Sequence, residues 1–405
     1  MKQKLGVLFV GALGSVATTV MSGALAIKKK LVPVRGLITE SDFVKGVHYT
    51  PLSDIAFGGW DIRNRNLYEA AQQNATIPEN ILCCLWEEMQ SIPVYQGIQV
   101  NVDDITKQVY GAFTTNIQES LYQAIQRIME EIRCFKDEHN VDFTVVINVS
   151  STEPMISREL YEWDLPFFES RIQENDFRIP PSISYAYAAI QSGCGFVNFT
   201  PSICMEVPAL QELAIEKNAL IAGKDGKTGQ TLYKTVLAPM FKARQLKVNG
   251  WYSTNILGNH DGEILRNDKH ARSKLESKSS GLKQILGYED FDHVVRIDYY
   301  SPRGDHKEAW DNIDFEGWMG SPMSMKVNWI GSDSILAAPI LLDMARLMDY
   351  AHRRGEKGIM SHLNMFFKSP YAPFGSQTEV DHDFFAQWVQ FKEYLDQIVG
   401  REGES

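Results

Sequence analysis

Leu5–Val10 is an unbroken apolar run, and it leads directly into Gly11-Ala12-Leu13-Gly14-Ser15-Val16-Ala17. A buried strand, a glycine turn and a helix starting on its far side form the opening of a dinucleotide-binding βαβ unit. Glycine allows the tight turn and a close approach of backbone to pyrophosphate, which then faces the helix N-terminus. The G-x-x-G-x-x-A spacing is a variant of the usual fingerprint. The same stretch, with Lys2 and Lys4 ahead of apolar and small residues, also has the make-up of a secretory signal. The next segment of the chain favours the dinucleotide unit. Residues 32–39 (VPVRGLIT) are predicted to form a second strand ending near Glu40, where a ribose-binding acid would lie. A cleaved leader would leave that strand without a partner, so the first strand is expected to be retained, central in its sheet, in a cytoplasmic protein.

A chain of 405 residues exceeds one ordinary core, which predicts two domains. Its net charge of −11 argues against a general nucleic-acid binder and would repel an anionic ligand, so such a ligand needs locally clustered cations. The five cysteines are scattered, with no CxxC pair, and no HExxH occurs, which removes disulfide-framework, zinc-ribbon and common zinc-hydrolase readings. No stretch reads as a membrane span.

Further along, residues 56–62 (AFGGWDI) read as a strand end with a glycine-rich turn, and residues 117–134 as an amphipathic helix. Residues 143–149 (FTVVINV) have the continuous β-branched character of a strand buried on both faces. They end in Ser150-Ser151-Thr152-Glu153-Pro154, a polar turn at the carboxyl end of a strand, where doubly wound sheets bind ligands. A helix (SISYAYAAIQ) and a strand (GFVNFT) come next, placing Thr200 at the next such end. Residues 206–217 read as another helix. Between 229 and 331 the character changes: VVRIDYY and MSMKVNW predict the sheet of a second domain, with residues 302–307 as an exposed turn between them. Residues 334–353 form a long apolar helix in this reading.

The chemistry concentrates in residues 221–281. There Lys227, Lys274 and Lys278 supply cations, Asp225 and Asp261 carboxylates, and Thr228, Asn255 and Asn259 neutral hydrogen-bonding groups. On a helix, Lys274 and Lys278 would share a face, an unfavourable pairing unless an anion lies between them. Unaided, these residues indicate a dinucleotide domain joined to a lysine-rich pocket for a phosphorylated, polyhydroxylated ligand. A dehydrogenase or a dinucleotide-sensing protein fits them as well.

GKDGKTGQT, NILGNHDG and RSKLESKS, together with SDSILAAPILLD and FFKSP, resemble in order the signature segments of the inositol-3-phosphate synthase family; NVSSTEP and GKDGKTGQT are more similar to its archaeal and bacterial branch. The resemblance implies an α/β fold: a Rossmann-like, doubly wound NAD-binding domain (residues 1–228, completed by C-terminal helices in 334–405) with an inserted α+β catalytic and tetramerisation domain (229–333). It implies a homotetramer with NAD as cofactor, converting D-glucose 6-phosphate to 1D-myo-inositol 3-phosphate by oxidation at C5, enolisation, aldol closure and reduction. Carried over by motif, the catalytic lysines are Lys274, Lys278, Lys307 and Lys368, with Asp225, Asp261 and Asn255. Asp61, Asp225, Thr228, Asn259 and Asp333 join the turn residues as cofactor contacts. Asp225, Asp333 and Ser334 are candidate ligands for a divalent metal or a monovalent cation; the other reading pairs these carboxylates with lysines. Lys224 stands where the eukaryotic pattern has a carboxylate, which weakens a metal copied from those enzymes.

Overall fold

The computed structural model describes residues 3–102, 119–258, 281–304, 306–376 and 380–403. The first apolar run is β1 (Leu5–Val10), buried at every position. Strands β2 (Ile55–Asp61), β3 (Val94–Gln96), β4 (Phe143–Asn148), β5 (Gly195–Asn198) and β6 (Leu220–Gly223) succeed it. Beyond β7 (Lys247–Leu257), β8 (Asp292–Tyr299), β9 (His306–Glu316) and β10 (Pro322–Ser332) comes the short β11 (Gly358–Ile359). The larger sheet runs β11-β6-β5-β4-β1-β2-β3, with every pairing parallel. Successive side chains of a strand point to opposite faces, and here both faces are covered. Leu5, Val7 and Phe9 pack with Val20 and Met21 of the helix Ser15–Lys28 and Met344 and Leu347 of the helix Asp333–Arg353. Leu8 and Val10 pack instead with Ile125 and Ile128 of the helix Leu121–His139 and Ile183 of the helix Pro181–Gln191. Apolar runs with no polar alternation result from that two-sided burial.

The smaller sheet runs β10-β9-β7-β8; β9 is antiparallel to both neighbours, while β7 and β8 are parallel. The helix Gly229–Ala243 covers one face, burying Phe241 between Trp251 and Phe315. Truncating such a ring to alanine costs about 3–5 kcal/mol. The opposite face stays exposed.

Two expectations are corrected. Residues 32–39 do not form the second strand: Pro33 lacks a ladder donor and Gly36 turns the chain at φ +88°. The stretch ends in a 3-10 turn, Ile38–Glu40, hung on the helix Asp333–Arg353. There Asp343 accepts from Ile38 N, Thr39 N and Thr39 Oγ1 at 2.7, 3.0 and 2.6 Å, and Glu40 pairs with Arg346 at 2.7 Å. The neighbour of β1 is β2, in register from Leu5↔Ile55 to Val10↔Trp60. Likewise, residues 302–307 are not wholly an exposed turn, since Lys307 lies buried within β9.

Candidate active site

After β1 the chain lays β2 and β3 on one side, then returns to place β4, β5 and β6 on the other. Loops diverge at such a switch point and leave a crevice at the carboxyl ends of the strands. A cavity of about 640 Å³ lies there. At its floor, Gly11 takes φ +86°, and a Cβ on it would meet Ser150 Cα at 2.9 Å, so backbone and space both demand glycine. Gly11 N and Ala12 N donate to Trp60 O, and Gly14 N to Gly11 O. Gly14 then caps the helix Ser15–Lys28 with no side-chain acceptor for its first amides. Gly11, Gly14, Ser15 and Val16 line the cavity, an arrangement that fits a pyrophosphate. Ala12 and Leu13 are buried outside the lining; Leu13 contributes its amide to Asp61 Oδ2 at 2.9 Å.

Asp61 ends β2 and is the acid that sits where a ribose-binding group belongs. Glu40 does not: it is held by Arg346 outside the lining. Across the switch point the two next strand ends repeat one device. Asn148 Oδ1 accepts from Ser150 N and Ser150 Oγ (3.1 and 2.7 Å), and Asn198 Oδ1 from Thr200 N and Thr200 Oγ1 (3.1 and 2.8 Å). Ser150, Ser151, Thr152 and Thr200 line the wall as a result. Both asparagines were missed as functional residues, although the Asn-x-Ser and Asn-x-Thr repeat at consecutive strand ends was a visible signal.

The far wall carries lysines. Residues 223–227 and 366–371 are zipped by backbone bonds: Tyr371 N to Gly223 O, Lys224 N to Ser369 O, Lys368 N to Asp225 O and Lys227 N to Phe366 O, at 2.7, 3.1, 2.7 and 2.7 Å. That pairing brings Lys368 Nζ to 2.7 Å from Asp225 Oδ1, both side chains under a tenth exposed. A second pair lies alongside, with Lys307 Nζ 2.7 Å from Asp333 Oδ2 and Thr228 Oγ1 donating to Asp333 Oδ1 at 3.1 Å. Asp225, Thr228, Asp333, Ser334 and Lys368 line the cavity; Lys307 stands behind Asp333. Among the described residues no group of three or more His, Cys, Asp or Glu side chains is arranged to hold a metal. Asp225 and Asp333 each have a lysine ammonium on a carboxylate oxygen, so among the described residues the candidate metal ligands are arranged as lysine–carboxylate pairs.

Lys227 departs from the expected cluster. Its buried ammonium turns to Gln387 Oε1 at 2.7 Å, beneath the Phe384 ring, and burial pulls its pKa down to about 7. Asn255 is also wholly buried and outside the lining; its amide donates to Gln230, whose own amide reaches Asp311 at 2.9 Å. Asp311 further accepts from Trp251 Nε1 at 2.7 Å and from Ser253 Oγ, a polar network fixing the start of the helix Gly229–Ala243 on its sheet. Deeper in, Lys234 Nζ lies 2.9 Å from His293 Nε2; burial lowers the lysine to about 8 and the imidazole to about 3. Asn259, Asp261, Lys274 and Lys278 lie outside the described residues. Arg63 was not anticipated and lines the cavity beside Asp61.

A sequence model described as myo-inositol-1-phosphate synthase matches residues 5–395. The chain belongs to that family. It is 42% identical over 421 residues to inositol-3-phosphate synthase 1 of Bacteroides thetaiotaomicron, covering 98% of this chain and 96% of the relative. To the inositol-3-phosphate synthase of Spirodela polyrhiza it is 31% identical, over 99% of this chain and 87% of that one. Among solved structures, inositol-3-phosphate synthase from Caenorhabditis elegans superposes with a TM-score of 0.87 at 24% identity, covering 98% and 86% of the two chains. At that identity the likeness concerns the fold.

Proposed function

We propose that the chain is an inositol-3-phosphate synthase, isomerising D-glucose 6-phosphate to 1D-myo-inositol 3-phosphate with NAD⁺ bound at the glycine turn. The observation that carries this reading is the shared cavity: a pyrophosphate-ready turn on one wall faces the Lys368–Asp225 pair and Asp333, with Lys307 behind it, on the other. Held at Gly11, Gly14 and Ser15, NAD⁺ would supply a hydride acceptor for C5 and the same hydride for the final reduction, with no net consumption. The helix Gly229–Ala243 starts at Thr228 without a side-chain cap, so its first amides suit the sugar phosphate, with Lys307 close by. Oxidation at C5 acidifies the C6 protons; the enolate oxygen and then the C1 alkoxide need preorganised cations in a dry site. Lys368, with Lys278, is assigned to the C1 alkoxide and phosphate, Lys274 to the C5 oxygen and proton transfer, and Lys307 to the enolate or phosphate end. Asp225 and Asp333 hold their lysines in place, and Asp261 has the same orienting task. In this reading residues 1–228 and 334–405 form the nucleotide domain, and 229–333 the catalytic and tetramerisation domain of a cytoplasmic homotetramer. The exposed Tyr300, Trp310, Trp318 and Ile330 around the small sheet support the assembly. No helix of the described residues is long and apolar enough to cross a membrane.

The test is incubation with glucose 6-phosphate and substoichiometric NAD⁺, following the NADH absorbance and the phosphate released after periodate. Multiple turnovers without net NADH are expected. Stoichiometric NADH would indicate a dehydrogenase, and nucleotide binding without turnover a sensor.

A further inference from the structure

The carboxylate of Asp61 is saturated. Oδ2 accepts from Leu13 N at 2.9 Å and Arg63 Nη2 at 3.1 Å; Oδ1 accepts from Arg63 N at 3.0 Å and Arg63 Nε at 2.9 Å. A carboxylate offers about four lone-pair sites, so these donors fill it. Three of them belong to Arg63, and two form the fork that guanidinium makes with planar acids. Asp61 is 4% exposed and Arg63 19%, and both line the cavity beside Gln73 and Asn74. Asn74 is occupied elsewhere, donating to Leu13 O and Thr18 Oγ1, each at 3.0 Å.

An adenosine ribose at the end of the second strand must donate its diol to the acid there. In this chain it does so only by displacing a prong of Arg63. A 2′-phosphate meets the reverse situation: Asp61 repels it, yet the arginine beside Asp61 matches its oxygens in charge and geometry. Resting on the reading that the cavity holds NAD⁺, we propose that Arg63 is a specificity-determining partner of Asp61. The acid excludes the 2′-phosphorylated dinucleotide and at the same time neutralises an arginine already placed to bind it. The negative charge of Asp61 then biases selection between NAD⁺ and NADP⁺.

Asp61→Asn tests this, because the amide keeps the shape and still accepts from Leu13 N but loses the charge. Calorimetric titration of NAD⁺ and NADP⁺ into ligand-free wild type, D61N and D61N/R63A gives the readout, with thermal unfolding of D61N near wild type as the folding control. Wild type is expected to favour NAD⁺. D61N should bind NADP⁺ about 10–100-fold tighter than wild type does, the scale of one or two charge-assisted hydrogen bonds, and D61N/R63A should lose that gain. Asp61→Ser, which vacates more room, should show the same ordering. No gain in NADP⁺ affinity in either single variant, or a gain that survives R63A, overturns the proposal. Wild type that binds no NAD⁺ would overturn the cofactor reading itself, and the proposal with it.

Discussion

Replacing Lys368 by methionine separates a catalytic ammonium from a structural one. Methionine keeps much of the apolar stem, so packing against the zipped segments should survive. The residue that loses its ion-pair lysine is Asp225: the two charges lie 2.7 Å apart with side chains 9% and 4% exposed. Deleting one member of a buried pair costs about 3–5 kcal/mol, because the other charge is left uncompensated. A domain with about 5–15 kcal/mol of stability should still fold. Adding Asp225→Asn removes the remaining charge, so K368M/D225N should regain most of the loss in urea unfolding. Activity should behave differently. Losing one preorganised donor to a developing oxyanion lowers the rate by about 10²–10³, and the double variant cannot restore a cation it lacks. The assays are urea unfolding of the single and double variants, and turnover of glucose 6-phosphate by each after its NAD⁺ binding has been verified. K368M retaining more than about a tenth of wild-type activity would refute the catalytic role. Activity regained in the double variant would show that the lysine only neutralises Asp225.

Three further outcomes are expected. Gly11→Ala should abolish NAD⁺ binding in calorimetry and destabilise by more than about 1 kcal/mol, since φ +86° and the 2.9 Å approach to Ser150 both exclude a Cβ. Burial depresses Lys227 from 10.5 to about 7, so between those values the unfolded chain binds more protons than the folded one and the wild type gains stability with rising pH; Lys227→Met should flatten that slope in urea titrations from pH 7 to 10. Light scattering at micromolar concentration should give a tetramer, and a monomer mass would count against the assignment of the exposed sheet face.

How far the sequence reveals this fold depends on how local each determinant is. β1, its glycine turn and the adjoining helix are specified within about twenty-five residues by apolar continuity and glycine placement, and the structure holds them at Leu5–Val10 and Ser15–Lys28. β4 was legible for the same reason. β2 was not recognised at full length, because Gly58 and Gly59 lower its strand character while the valines of 32–39 imitate one. Gly59 is glycine because a Cβ there would lie 2.2 Å from Phe9 O, a requirement set by the neighbouring strand and invisible along the chain. The lysines show the same limit. GKDGKTGQT and FFKSP mark site residues by motif, but whether Lys227 or Lys368 faces the cavity depends on backbone pairing between segments some 140 residues apart. Arg63 lay two residues from a recognised acid and carried no motif at all.

The electrostatics of the site also read differently once the pairs are in view. Lys307 with Asp333 and Lys368 with Asp225 are each close to neutral, so at a distance they do little to offset a chain carrying −11. Their value is local. An ammonium held by a fixed carboxylate keeps its position without reorganising, and a developing oxyanion can then share it. Attraction for an anionic ligand must come from elsewhere on the wall. The structure offers two helix starts without side-chain caps, at Ser15 and Gly229, whose amides carry partial positive charge; the Asp333 carboxylate lies beside the second. One suits a pyrophosphate and the other a sugar phosphate, and the lysine pairs lie beside the second. In the proposed reading, anion binding and charge stabilisation are divided between backbone dipoles and side-chain pairs, an arrangement that would let a strongly acidic chain hold two phosphorylated ligands in one cavity.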